Sequence, residues 1–341
     1  MRFPLWLRWL LGIALLALLA LTIFWLIVRD EFGKILESWR GNLEGMGYQV
    51  VADGPTYGGW PLRLEAHFAA PAITAPSGQR WEGPAEVTGY AWLWDLNTIV
   101  IDGPGRHRLE VQGGPLAIDV AEGTLILGFD RALDRIALDV GGGSLTNETS
   151  HTKLSFDRLA FDLSSLSPDK DGRSDVGFTF DLEKFPLPPE LAGVAEMLGP
   201  EIALLKLEGR LQGVLSPQSW KAFLATWRDS SGIVDLRSIE LDWGALWAKG
   251  AGTLAMDERY RPLGAFSFET AGLPELVKRA TDAGDVDEDG GRTLQRALEA
   301  LSTGADAQGR QKVTLPITLQ DGALYVGQIE LGQLRPWALG D

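Results

Sequence analysis

The six residues from Asp285 to Gly290 form the most suggestive metal-binding pattern in this 341-residue chain. Asp285, Asp287 and Asp289 occupy positions one, three and five of an EF-hand-like loop, and Gly290 occupies position six. The pattern then fails, because position twelve, where a bidentate glutamate should complete the oxygen shell, is Arg296. We therefore interpret the segment as a solvated acidic loop and keep Ca²⁺ binding as the alternative.

No other group of residues predicts a catalytic site. Cysteine is absent, which excludes a thiol nucleophile, cysteine-ligated metals and disulfides. The three histidines, His67, His107 and His151, are scattered and follow no zinc-site spacing. The sequence also lacks a nucleophile elbow and a phosphate-binding loop. We predict that the protein is not an enzyme and needs no cofactor.

An aromatic row is more informative. Tyr90, Trp92 and Trp94 follow one another at two-residue spacing, so they would share one face of a β-strand. Such a row can stack on sugar rings or line a lipid groove. It can equally be part of a core, since aromatic residues are enriched in strands and pack across sheets.

The charge balance limits the class of partner. The chain has 46 acidic and 31 basic residues, which gives a formal net charge of −15. Nucleic-acid binding requires clustered basic residues that displace counterions from phosphates, so it is not expected. Hydrophobic residues make up 45% of the chain, which is enough for a folded core.

The N-terminal segment predicts a membrane anchor. An apolar run extends from Leu5 to Val28 and is interrupted only by Arg8, and about 20 helical residues span a bilayer. A cleavable signal peptide is the alternative, but its apolar region is normally shorter and ends in small residues. Residues 1–29 are thus predicted to be a cytoplasmic N-terminus and single span. Because the N-terminal amine, Arg2 and Arg8 lie on the N-terminal side and Asp30 and Glu31 follow the run, the bulk of the chain is expected in the periplasm, with the anchor in the inner membrane.

The hydrophobic period changes beyond the anchor. Residues 30–47 have the three- and four-residue spacing of an amphipathic juxtamembrane helix. From residue 48 to 341 a period of two predicts many half-buried strands, with a candidate subdivision near residues 185–200. Glycine-rich turns at Glu122-Gly123 and Gly141–Gly143 are expected to separate some of these strands.

The excess of predicted strands over predicted helices indicates a mainly β fold with few helices, built as an antiparallel curved sheet or sandwich. Four short helices are predicted, over residues 190–198, 217–227, 274–280 and 292–301, and they cannot cover a dozen strands. The sheet must therefore cover itself or leave an apolar groove. The candidate groove or core residues are Leu62, Leu64, Phe68, Leu205, Leu207 and Leu211.

Several strand and turn motifs resemble a known family. They include Gly59-Trp60-Pro61-Leu62, Gly252-Thr253-Leu254-Ala255 and the closing hairpin around Asp321-Gly322. Together with the anchor they resemble an uncharacterised proteobacterial family of membrane-anchored envelope proteins and, more distantly, AsmA-like proteins. The resemblance implies an anchored periplasmic sheet with an apolar groove that takes part in phospholipid movement or envelope maintenance.

Two functions follow as expectations. The first is binding or movement of phospholipid or another amphiphile along an apolar groove. The second is a noncatalytic structural protein with a closed β-sandwich that recruits envelope proteins through an edge strand or through the acidic segment at residues 282–291.

Overall fold

The computed structural model describes residues 5–52, 54–111, 114–215, 220–306 and 308–337. The helices are α1 (Leu5–Gly45), α2 (Ala192–Leu198), α3 (Trp220–Asp229), α4 (Leu273–Ala283) and α5 (Glu288–Ala300), and a 3₁₀ turn (Pro189–Leu191) precedes α2. The strands are β1 (Gln49–Val51), β2 (Thr56–Gly58), β3 (Arg63–Ala69), β4 (Ala72–Thr74), β5 (Arg80–Glu82), β6 (Glu86–Trp92), β7 (Asp95–Asp102), β8 (Gly105–Val111), β9 (Gly114–Asp130), β10 (Ala132–Asn147), β11 (Lys153–Ser164), β12 (Ser174–Pro186), β13 (Glu201–Gly213), β14 (Ile233–Trp243), β15 (Leu246–Met256), β16 (Pro262–Ala271), β17 (Ser302–Ala305), β18 (Gln311–Gln320), β19 (Ala323–Val326) and β20 (Ile329–Gln333). The predicted antiparallel, mainly β fold is confirmed.

The chain forms two compact units. Unit 1 takes its described residues from Met1–Asp130 and Gly143–Lys153, and unit 2 from Arg131–Gly142 and Leu154–Asp341. Residues 185–200, where the sequence suggests a subdivision, lie within unit 2.

Helix α1 is one continuous helix of 41 residues. The predicted anchor and the predicted juxtamembrane helix are therefore parts of the same element. Its described residues include a stretch long and apolar enough to cross a membrane. The helix ends where Gly47 adopts a φ of 87°, a left-handed conformation that glycine reaches without steric cost.

In unit 1, antiparallel pairing gives the strand succession β1-β4-β5-β8-β9-β7-β6-β3-β2. Strand β9 serves two partners in turn, because residues 114–120 pair with β8 and residues 124–128 pair with β7. The C-terminal half of α1 packs on this unit. Trp25 is buried there against Leu64 and Leu93.

In unit 2, strands β11 to β16 follow one another as an antiparallel meander, and β18, β19 and β20 continue it. Short strand β17 pairs with the start of β18. Neighbouring strands thus follow one another in chain order, as in other antiparallel meanders. The connections are not all tight hairpins, because α2 and α3 lie within two of them and the connection from β16 to β18 runs through α4, α5 and β17.

The predicted turns at Glu122-Gly123 and Gly141–Gly143 are wrong, because long strands β9 and β10 run through them. Gly123 instead lies between the part of β9 that pairs with β8 and the part that pairs with β7. A Cβ at Gly123 would lie 2.7 Å from a methyl group of Val120. Gly142 has a φ of 60° inside β10. Glycine within a strand marks a bend or bulge as readily as a turn, and the sequence pattern does not distinguish them.

Candidate functional site

Apolar side chains line one face of the unit 2 sheet, and the cross-strand register keeps them on that face from strand to strand. Phe180 lies opposite Leu207, which lies opposite Ile239. The bulge in β13 and β14 near Gly209 does not break this parity, since Leu211 still lies opposite Val234. We call this set the apolar face: Leu159, Phe161, Leu163, Val176, Phe178, Phe180, Leu182, Leu205, Leu207, Leu211, Val234, Leu236, Ile239, Leu241, Leu254, Phe266, Phe268, Leu315, Ile317, Leu319, Leu324 and Val326.

The apolar face is only partly covered. Of its 22 side chains, only Val176 and Leu182 are buried, and the remaining members are half-buried. A sheet face packed against a second layer normally loses its solvent contact. This face therefore offers a continuous apolar surface that keeps access to solvent.

The opposite face of the same strands is charged. Lys312 donates a hydrogen bond of 2.8 Å to Glu269, and Lys249 lies 3.6 Å from Glu240. On β12 and β13, a hydrogen bond from Arg210 holds the pKa of Asp175 below its ordinary value. The polar face thus forms cross-strand ion pairs in water, which leaves the apolar face as the side available to an apolar ligand.

Glycines keep part of the apolar face flat. A Cβ added at Gly252 would lie 2.4 Å from the Phe266 ring, and one at Gly250 would lie 2.5 Å from the Phe268 ring. The two rings are stacked on each other, with their centroids 6.1 Å apart. Because these glycines lack a side chain, the rings lie directly over the backbone of β15, an arrangement that compensates for the missing side-chain packing.

Helix α3 closes one end of the apolar face. Leu224 and Trp227 of α3 are almost completely buried and pack against Leu211 and Val234. The indole Nε1 of Trp227 donates a hydrogen bond of 2.9 Å to the carbonyl of Gln212. The start predicted for this helix at residue 217 lies outside the described residues.

The six predicted groove residues divide between the units. Leu205 and Leu207 lie in the open part of the apolar face, and Leu211 lies on it beneath α3. Leu64 of unit 1 is instead a core residue packed on α1. Also in unit 1, Leu62 is exposed and Phe68 is half-buried.

The aromatic row spans a strand end rather than one strand face. Tyr90 and Trp92 belong to β6, whereas Trp94 lies in the turn that leads to β7. The rings of Trp92 and Trp94 stack with centroids 4.7 Å apart. The guanidinium of Arg63 lies 5.0 Å from the centroid of the Tyr90 ring.

The acidic segment forms the start of a helix rather than an EF-hand loop. Asp287 is the N-cap of α5, and its side chain accepts a hydrogen bond from the backbone N–H of Gly290. Asp289 lies within the first turn of α5 and pairs with Arg292. Asp285 precedes the cap. Within the described residues, no three carboxylate or imidazole groups are arranged to hold a metal ion. The helix begins at Glu288, four residues before the start predicted at Arg292.

Sequence reasoning missed a polar cleft in unit 1. Its volume is about 940 Å³, and its lining includes Arg63, Arg106, Arg108 and His67. The three arginines already pair with Glu65, Asp119 and Glu148, respectively. The hydrogen bond from Arg106 also keeps the pKa of Asp119 below its ordinary value. The lining residues come from three runs of the chain, residues 63–67, 82–90 and 102–108, so no local spacing reveals the cleft. Because neighbouring carboxylates neutralise its cations, the apolar face remains the better candidate site.

These features define a mainly antiparallel β protein with a long apolar N-terminal helix and a sheet that is apolar on one side. Residues 25–335 match the model of the family described as an uncharacterized protein conserved in bacteria, DUF2125, and the chain belongs to this family. The comparison with curated proteins gave no significant match.

Proposed function

We propose that the protein binds the acyl chains of phospholipids or similar amphiphiles along the apolar face of unit 2. The observation that carries the proposal is the half-buried state of nearly all the side chains on that face. Each methylene group that moves from water to an apolar surface contributes about 0.8 kcal/mol. A face that extends over this many strands offers an acyl chain enough contact for binding without any catalytic group.

The helix α1 supports a location at a membrane. In the apolar window of α1 only 6% of residues are buried by the rest of the chain, so the apolar side chains need another environment. We propose that α1 is a single-pass anchor in the inner membrane. Basic Arg2 and Arg8 precede the window, while Asp30 and Glu31 follow it, which favours a cytoplasmic N-terminus and periplasmic β units.

The resemblance to AsmA-like envelope proteins agrees with this proposal, since it implies an anchored sheet that carries phospholipid. The alternative, a closed sandwich that recruits envelope proteins, requires the apolar face to be covered. The partial exposure of Leu207 and its neighbours favours the open face.

Photocrosslinking of the full chain in bacterial cells tests lipid binding. A benzophenone amino acid replaces Leu207 or Ile239 on the apolar face, and Lys206 or Glu240 on the polar face. These are matched controls, because each lies next in sequence to an apolar position on the same strand. We expect adducts with the mass of a phospholipid at Leu207 and Ile239 and none at the controls. Equal labelling of both faces, or protein adducts alone at Leu207, would contradict the proposal.

A further inference from the structure

The second feature of interest is an exposed apolar patch in unit 1 beside α1. We call Trp60, Leu62, Trp94 and Leu96 the edge patch. Trp94 is 67% exposed and Trp60 is 51% exposed, and both leucines are also exposed. Monomeric soluble proteins rarely leave large apolar side chains of this kind grouped on the surface, so the patch needs an occupant.

The edge patch is fixed to α1 at a defined level along the helix. The indole Nε1 of Trp60 donates a hydrogen bond of 3.2 Å to Oγ1 of Thr22. In the opposite direction, the indole Nε1 of Trp25 donates one of 2.9 Å to the carbonyl of Arg63. The backbone N–H of Leu93, the residue before Trp94, bonds to the carbonyl of Leu62.

That level coincides with the end of a bilayer span. The 20 residues from Leu5 to Phe24 rise by about 30 Å, the thickness of the hydrocarbon layer. Ile23, Phe24 and Ile27 are exposed on the helix at the same level as the patch. Exposed apolar side chains of the helix and of the edge patch therefore occur at the same level along α1.

The nearby side chains suit the boundary between lipid and water. Tryptophan is enriched there because its ring is apolar and its N–H is polar. Two arginines stack on aromatic rings at this level. The guanidinium of Arg29 lies 5.9 Å from the Trp25 ring centroid, and that of Arg63 lies 5.7 Å from the Trp92 ring centroid. Such cations lie at the height of lipid phosphates when the indoles occupy the interfacial layer.

We propose that the edge patch rests in the interfacial layer of the same membrane that α1 enters, so that unit 1 is held against the bilayer by its surface as well as by its tether. This inference relies on α1 being a membrane span, as in the proposed function. It concerns membrane contact by a surface of unit 1 and does not depend on whether unit 2 binds lipid.

The test uses the absence of cysteine in the native chain. Full-length Trp94→Cys, Leu96→Cys, Ser77→Cys and Ile13→Cys variants are labelled with an environment-sensitive fluorophore and reconstituted in phosphatidylcholine–phosphatidylglycerol vesicles. Ser77 is the matched control within unit 1, because neighbouring Pro76 packs on Gly47 just beyond the end of α1. This end lies about 30 Å farther along the helix than Phe24. Ile13 reports on insertion of the helix itself.

We expect spin-labelled lipids to quench the probes at positions 94 and 96 several-fold more than the probe at 77, and iodide in the water to do the reverse. Probes at 94 and 96 that behave like the probe at 77 would overturn the inference. Shielding from both quenchers would also overturn it, because a protein would then cover the patch. If the probe at 13 is not quenched by lipid, the anchor proposal fails instead.

Discussion

A charge placed on the apolar face should weaken lipid binding by a calculable amount. In the Leu207→Glu variant, a carboxylate replaces the side chain between Phe180 and Ile239 in the middle of the face. The carboxylate keeps its hydration shell, which excludes an acyl chain over roughly one strand spacing, about 4.8 Å, or about four methylene groups of an extended chain. At about 0.8 kcal/mol for each methylene group, the loss is about 3.2 kcal/mol, which corresponds to about a 200-fold weaker Kd.

The assay is a titration of purified full-length protein in detergent micelles with a fluorescent long-chain fatty acid. The micelles compete equally in every sample, so the ratio of apparent Kd values isolates the effect of the face. Two controls accompany the variant. Leu207→Met keeps the volume and polarity and should bind like the native chain. Ser267 lies between Phe266 and Phe268 in sequence, but its side chain is on the exposed polar face. Ser267→Glu therefore introduces the same carboxylate on the opposite side of the sheet and should leave the Kd unchanged.

The reasoning is refuted if Leu207→Glu binds within about threefold of the native chain, since the expected change is about 200-fold. It is also refuted if Ser267→Glu weakens binding as much as Leu207→Glu. In that case net charge, rather than contact with the apolar face, controls the affinity. A near-ultraviolet circular dichroism spectrum of each variant checks that the fold is retained.

Two further predictions concern stability. Gly252→Ala should lower the free energy of unfolding by about 1–3 kcal/mol, because the new Cβ would overlap the Phe266 ring, whereas Gly332→Ala, with open space around it, should be neutral in the same urea titration. Asp257→Asn should cost about 2 kcal/mol at pH 7, because Asp257 accepts hydrogen bonds from the backbone and guanidinium of Arg261. Burial raises the pKa of Asp257, but the hydrogen bonds from Arg261 and from the backbone N–H of Arg259 outweigh the effect of burial and lower the pKa. Its stabilising effect is therefore present above the unfolded pKa of about 3.9 and is lost as the pH falls through the folded pKa. The difference between Asp257→Asn and the native chain should shrink in titrations at pH 3, and a constant difference would contradict this cause.

Some features of the fold can be predicted from the local sequence because they depend on local geometry. The alternation of apolar and polar residues around Leu205 and Leu207 predicts a strand with one apolar face, since successive side chains of a strand point to opposite sides. The Asp321-Gly322 turn is correctly predicted between β18 and β19, where both residues have positive φ values. The apolar character of residues 5–28 is likewise a property of composition alone.

Other features of the fold depend on which segments of the chain pack or pair with one another. Gly123 and Gly142 lie inside long strands, because a strand can change partner or bend at a glycine without ending. Asp287 caps a helix, although its spacing resembles that of a metal-binding loop. The polar cleft of unit 1 combines side chains from distant segments, so their convergence has no signature in the chain.

Leu64 and Leu207 illustrate the division most clearly. Local alternation is enough to predict that each lies on the apolar side of an antiparallel strand, because the period of two is a local property of the backbone. Long-range packing determines that Trp25 of α1 covers Leu64, while Leu207 keeps solvent contact on an open face. Burial depends on the element that packs above a strand, and the strand's own residues do not encode which element that is.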